Sequence, residues 1–175
     1  MKRLLLLNLI FNTLILYASE PKVIANGLDL YRYQGRWYEI ARFPNKFQKD
    51  CYKNAQAYYE LNEKGLIEVK NMCIELDGSK KMVSGLAKVK DSHNSAKLGV
   101  SFFTVFGIRP IWPDYLVYSI NNDYTVSVVG DGKGKMGWVL SRTPTININD
   151  LIDAKIVFQK NGYSLEQLKL TKQIY

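Results

Sequence analysis

The stretch that decides the fold is Gly35-Arg36-Trp37-Tyr38-Glu39-Ile40-Ala41-Arg42. A glycine allows close backbone approach, and a tryptophan two residues on is large enough to plug the narrow end of a small barrel. Outward from this stretch, the chain reads as strands that close around the plug. Asn54 to Asn62 alternates, with Ala55, Ala57, Tyr59 and Leu61 on one face. A turn at Asn62-Glu63-Lys64-Gly65 leads into Leu66 to Cys73, and Lys81 to Lys90 and Lys97 to Thr104 repeat the period of two. Tyr115 to Ile120, Tyr124 to Gly130 and Met136 to Arg142 follow, separated by turns at Asn121-Asn122-Asp123 and Gly132-Lys133-Gly134-Lys135.

Counted from Gly35, these are eight strands with short hairpin connections. A sheet of that kind escapes edge-to-edge pairing by closing, so the expected class is all-β: an eight-stranded antiparallel up-and-down barrel. Beyond it, Pro144 ends the last strand, and Asn149 and Asp150 are competent N-caps. Apolar residues recur at helical spacing from Leu151 to Phe158 until Asn161-Gly162 stops them. This predicts one C-terminal α-helix packed outside the barrel, with a membrane-surface helix as the alternative. Leu168 to Gln173 reads as a short final strand. Between the fifth and sixth strands, Val105 to Asp114 carries Gly107, Pro110 and Pro113 among Ile108, Ile111 and Trp112, the composition of a loop bearing apolar groups.

The N-terminus has a separate role. Lys2 and Arg3 precede an apolar run from Leu4 to Ala18, too short to span a bilayer comfortably, so residues 1–18 read as a secretory signal and 19–175 as one domain. No cysteine ends the apolar run, so a lipid anchor of the bacterial lipoprotein kind has no attachment point there. The protein is expected in the periplasm, with peripheral association with the outer membrane as an alternative, or outside the cell, unless the leader is retained as an anchor. Without the two leader cations the basic count falls from 24 to 22 against 16 acidic residues, a charge of +6. The lysines are scattered and no arginine-rich arm exists, so nucleic acid is not the expected partner. Weak attraction to anionic lipid remains open.

Export bears on the two cysteines. Folding the hairpin of the second and third strands about its turn brings Cys51 and Cys73 together at its open end, which predicts a disulfide. The rival, a catalytic thiol, lacks an evident partner. The single histidine, His93, lies in the polar stretch Asp91-Ser92-His93-Asn94-Ser95. Glu39 is the one carboxylate expected near the interior, and no metal or cofactor site is expected.

Strand parity assigns Ala41, Phe43, Tyr59, Val69, Val89, Phe102, Tyr115, Val117, Trp138 and Leu140 to the inner wall. The small residues Ala41, Ala55, Ala57, Gly85 and Ala87 are expected among them. An eight-stranded barrel is either filled by side chains or holds one small ligand, and this pattern fits both.

Three motifs in register carry a family resemblance. Gly35-Arg36-Trp37 is similar to the G-x-W block of the lipocalins. Asn122-Asp123-Tyr124 is similar to their T-D-Y block, with asparagine for threonine, and Arg142 stands where the family has a basic residue at the end of the eighth strand. The strings Val100-Ser101-Phe102-Phe103 and Leu140-Ser141-Arg142-Thr143-Pro144-Thr145 resemble the bacterial lipocalins related to apolipoprotein D. The resemblance covers about Leu28 to Gln173. It implies that Trp37 and Arg142 stack at the closed end, which makes Gly35, Trp37, Asp123, Tyr124 and Arg142 structural. It also implies a fatty acid or lysophospholipid entering at the other end, through the loops after Phe43 and around Val105 to Asp114. Read from the residues alone, the loop lysines Lys46 and Lys49 are available to meet a carboxylate or phosphate at that mouth. Two other classes stay open. One is a lipid-modifying enzyme on the same scaffold. The other is an envelope interaction protein, monomer or homodimer, that uses the apolar loop 105–114.

Overall fold

A computed structural model describes residues 24–175, so the leader read over residues 1–18 lies outside the described residues. The eight expected strands are present: β1 (Gly35–Arg42), β2 (Cys51–Leu61), β3 (Ile67–Glu75), β4 (Lys80–Val89), β5 (Lys97–Ser101), β6 (Asp114–Ile120), β7 (Val126–Gly130) and β8 (Gly137–Ser141). Each pairs antiparallel with the next, and β1 pairs with both β8 and β2, which closes the sheet into a barrel. Strand β5 stops at Ser101, three residues before the expected end.

The closed end is held by the three motifs. A four-residue helix α1 (Leu30–Tyr33), capped by Asp29, crosses beneath the barrel. The Arg142 guanidinium lies 3.8 Å from the centre of the Trp37 ring. Its Nη1 donates to the Arg36 carbonyl at 2.8 Å, its Nη2 to the Arg32 carbonyl at 2.7 Å and its Nε to the Tyr124 carbonyl at 3.2 Å. One planar cation thereby ties the end of β8 to β1, to α1 and to the β6–β7 turn. Tyr124 adds to the clasp, because its hydroxyl accepts the Asp29 N–H and Arg32 stacks over its ring. Asp123 is exposed in that turn.

Cys51 and Cys73 form the expected disulfide, with Cα atoms 5.6 Å apart. The helix α2 (Ile148–Lys160) packs outside the barrel through Leu151, Ala154 and Phe158. Its cap is Asn147, two residues earlier than the first of the caps read from sequence: the Asn147 side chain accepts the Asn149 N–H at 2.8 Å. Among the described residues no helix is long and apolar enough to cross a membrane.

A last strand, β9 (Lys169–Leu170), pairs with Ala41 and Arg42 of β1. It completes the wall, because β1 and β2 pair only over Gly35–Tyr38 and then part. The tail fills the gap. Lys172 bridges to Lys53 in parallel, and the Asn54 side chain exchanges two 2.7 Å hydrogen bonds with the Ile174 backbone. Gln173 Nε2 donates to the carbonyls of both Glu39 and Ala55.

Arg142→Ala removes a stacking contact and three bonds to carbonyls, and should cost about 2–3 kcal/mol. Thermal unfolding followed by circular dichroism should show a clear fall in Tm, with Arg142→Lys intermediate because it keeps charge without the planar fork.

Candidate ligand-binding site

The interior is built from the inward residues of all eight strands. Tyr59, Val69, Val117 and Leu140 are buried in the interior core, with Val89, Tyr115 and Trp138 packed against it. Ala57 and Ala87 belong to the same cluster, and Ala55 is also buried. Seven of the ten side chains assigned to the wall by parity therefore lie in the interior.

Ala41 and Phe43 do not. Between Glu39 and Ala41 the register of β1 against β8 slips, so Glu39 opposes Leu140 and Ala41 opposes Val139. The bulge reverses parity. Ala41 and Phe43 stand on the outer face under α2, where the Phe43 ring meets Phe158 edge-on with centres 4.9 Å apart. A second slip in β6 turns Tyr118 outward to the same cluster. Phe102 lies past the end of β5, 47% exposed, with its ring against Gly85: a Cβ built on that glycine would come within 2.6 Å of Phe102 Cδ1. It is a rim residue.

Two polar groups of residues divide the bore. At the closed end Tyr33, carried in by α1, bonds Ser127 Oγ through its hydroxyl at 3.1 Å and reaches Tyr115 Oη at 3.4 Å. Tyr115 and Tyr59 share a 2.9 Å bond, and Ser127 Oγ donates to the Ser119 carbonyl. Burial raises the pKa of Tyr33, Tyr59 and Tyr115 above the usual phenol value, because an anion there would lose its hydration. The chain of hydroxyls is therefore neutral. The space left beside it is about 10 Å³, lined by Tyr33, Tyr59, Ile67, Ala87, Leu98, Val100 and Tyr115. That is room for about one water molecule.

Nearer the mouth, the buried Glu39 carboxylate organises the second group. Arg42 Nη1, Gln48 Nε2 and Thr171 Oγ1 each donate to it at 2.6 Å. Gln48 Oε1 accepts from Trp138 Nε1 at 2.8 Å and from Asn45 Nδ2 at 2.9 Å. Loop 43–50 and the C-terminal tail are thus fastened to one inward carboxylate. Sequence placed Glu39 inside but carried no signal for Gln48 or Thr171, whose contacts span 9 and 132 positions. With both cysteines bridged and Glu39 engaged on both oxygens, neither group stands free for nucleophilic or acid–base work. On the rim, an open depression of about 430 Å³ beside the disulfide is lined by Lys49, Asp50, Tyr52, Glu75, Leu76 and Asp77, a mixed surface rather than an apolar one.

Comparison with known proteins agrees with this architecture. Residues 28–173 match the family model described as a lipocalin-like domain. Temperature-induced lipocalin-1 of Arabidopsis thaliana is 33% identical over 156 residues, covering 86% of this chain and 82% of the relative. Apolipoprotein D of Mus musculus is 34% identical over 158 residues, covering 86% and 79%. Among solved structures, insecticyanin from the tobacco hornworm Manduca sexta superposes with a TM-score of 0.68 at 18% identity, covering 87% of this chain and 84% of that one. The chain belongs to the lipocalin family, whose members generally bind and carry small hydrophobic molecules.

The neutral phenols have a consequence for stability. Unfolded tyrosines ionise near 10, whereas the folded barrel keeps Tyr33, Tyr59 and Tyr115 protonated, so the folded state binds more protons above that pH. The contribution of these tyrosines is fully present below about pH 10 and is lost as pH rises toward the folded values. In a spectrophotometric titration, the exposed tyrosines should ionise first and the buried set only together with unfolding.

Proposed function

We propose that the protein binds a fatty acid or lysophospholipid in the mouth half of the barrel and carries it without catalysis. The observation behind this reading is the inner wall itself: buried apolar residues from several strands share the interior with the small residues Ala55, Ala57, Gly85 and Ala87, and a half-exposed ring, Phe102, lies over Gly85. The deep end is filled by Tyr33, Trp37 and Tyr59, so a cargo takes its space above them. Phe102 is the group displaced at least cost, since it is anchored past a strand end and already partly in water. The acyl tail points downward, and burial of apolar area supplies affinity at about 25 cal/mol per Å². An anionic head stays at the mouth near Lys46 and Lys49, because the region around the tyrosines disfavours negative charge. The leader read in the sequence places this activity in the cell envelope or outside the cell.

Titration of delipidated protein with fatty acids and with lysophospholipids, followed by tryptophan emission, should saturate. At a hundredfold excess over Kd, stability should rise by about 2.7 kcal/mol and Tm with it. Trp138→Phe should remove much of the emission change while leaving the rise in Tm. An unsaturable signal with an unchanged Tm would rule the lipid cargo out.

A further inference from the structure

The mouth of the barrel is formed by loops 43–50, 76–79, 102–113 and 131–136, and three of them carry large apolar side chains into solvent. Phe106 is 100% exposed, Leu76 79%, Ile108 69%, Phe47 63%, Ile111 61% and Phe103 58%. Phe106 occupies the tip of a turn in which Val105 and Ile108 exchange both backbone hydrogen bonds at 2.8 Å. Its φ is +48°, the left-handed region that a bulky side chain rarely occupies and that Gly or Asn takes more readily. A fully exposed ring gains nothing from the rest of the chain to offset that strain. The position therefore suits a contact outside the molecule.

Charge says which contact. Lys46, Lys49, Lys80, Arg109, Lys133 and Lys135 stand at the same end, and none takes part in an ion pair among the described residues. The acids nearby are mostly engaged. Asp50 and Glu75 pair with Lys81, Asp114 with Lys90, and Asp131 accepts the Tyr163 hydroxyl. A second copy docked mouth to mouth would bring the same unpaired cations together, so self-association is opposed by the charge that an anionic surface would satisfy.

We propose that this end docks on an anionic phospholipid bilayer, with Phe106 and Ile108 entering the acyl boundary and the lysines and Arg109 meeting lipid phosphates. Each cation brought near such a surface is worth roughly fivefold in partitioning, and the attraction is screened by salt. The docking does not depend on the cargo. Where the cargo reading also holds, the barrel opens onto the phase in which a lipid cargo dissolves.

Cosedimentation tests this with vesicles of phosphatidylcholine alone and of phosphatidylcholine mixed with phosphatidylglycerol. Binding should be at least about tenfold stronger to the anionic vesicles and should weaken with salt. Phe106→Ser combined with Ile108→Ser should reduce it by about tenfold or more with Tm unchanged, because both side chains already face water. Lys133→Ser with Lys135→Ser should reduce only the anionic preference. As a separate readout, emission of Phe106→Trp should shift to the blue on anionic vesicles. Absence of vesicle binding, or equal binding by the apolar variant, would overturn the proposal. So would a dimer on size exclusion that the apolar variant dissolves, since that would assign the loops to self-association. None of these outcomes bears on cargo binding, which the titration of delipidated protein reads independently.

Discussion

The barrel depends on one guanidinium. Arg142 stacks on Trp37 and bonds three carbonyls from separate segments, so the last barrel strand, the first one, the entry helix and the β6–β7 turn share a single fixed point. With the narrow end locked, register around the rest of the sheet follows, and Tyr33 is held where it fills the bore above Trp37. The opposite end is tied differently, through the Glu39 carboxylate and the C-terminal tail. There β1 and β2 part, and the wall is finished by a tail that arrives from the C-terminus.

This asymmetry gives the interior two regimes. Below, aromatic rings and a closed chain of hydroxyls leave space for about one water, so the region specifies the fold and resists charge. Above, a buried carboxylate holds a mouth loop, a guanidinium and the tail together by three short bonds. A buried ion pair of this kind is a poor source of stability but a good means of fixing geometry, because each partner left alone would be a costly buried charge. A cargo must coexist with that group of bonds, which favours a ligand whose apolar part lies along the small residues of β2 and β4 while its head remains outside.

Much of this was legible in the alternation of residues, because strand period and turn chemistry are local. The eight strands, the outer helix, the disulfide and the inward Glu39 all follow from short windows of sequence. Parity failed at Ala41 and Phe43 because a bulge is one extra residue, and the composition of Glu39-Ile40-Ala41 carries no mark of it. Phe102 has the right parity but lies beyond the end of its strand, where alternation stops constraining direction. The roles of Gln48 and Thr171 were invisible for another reason. Each makes its contact across a fold that only the closed barrel creates.

The central claim is that a lipid occupies the bore above the tyrosines and not a site on the outside. Nuclear magnetic resonance with a fatty acid carrying a nitroxide on its tail tests this directly. Bound label should broaden the methyl signals of Ala55, Ala57, Val69 and Val117, inside the barrel, and leave Ala41, Val139 and Ala154, under the helix, sharp. Broadening confined to the outer set, or none at all, would contradict the account.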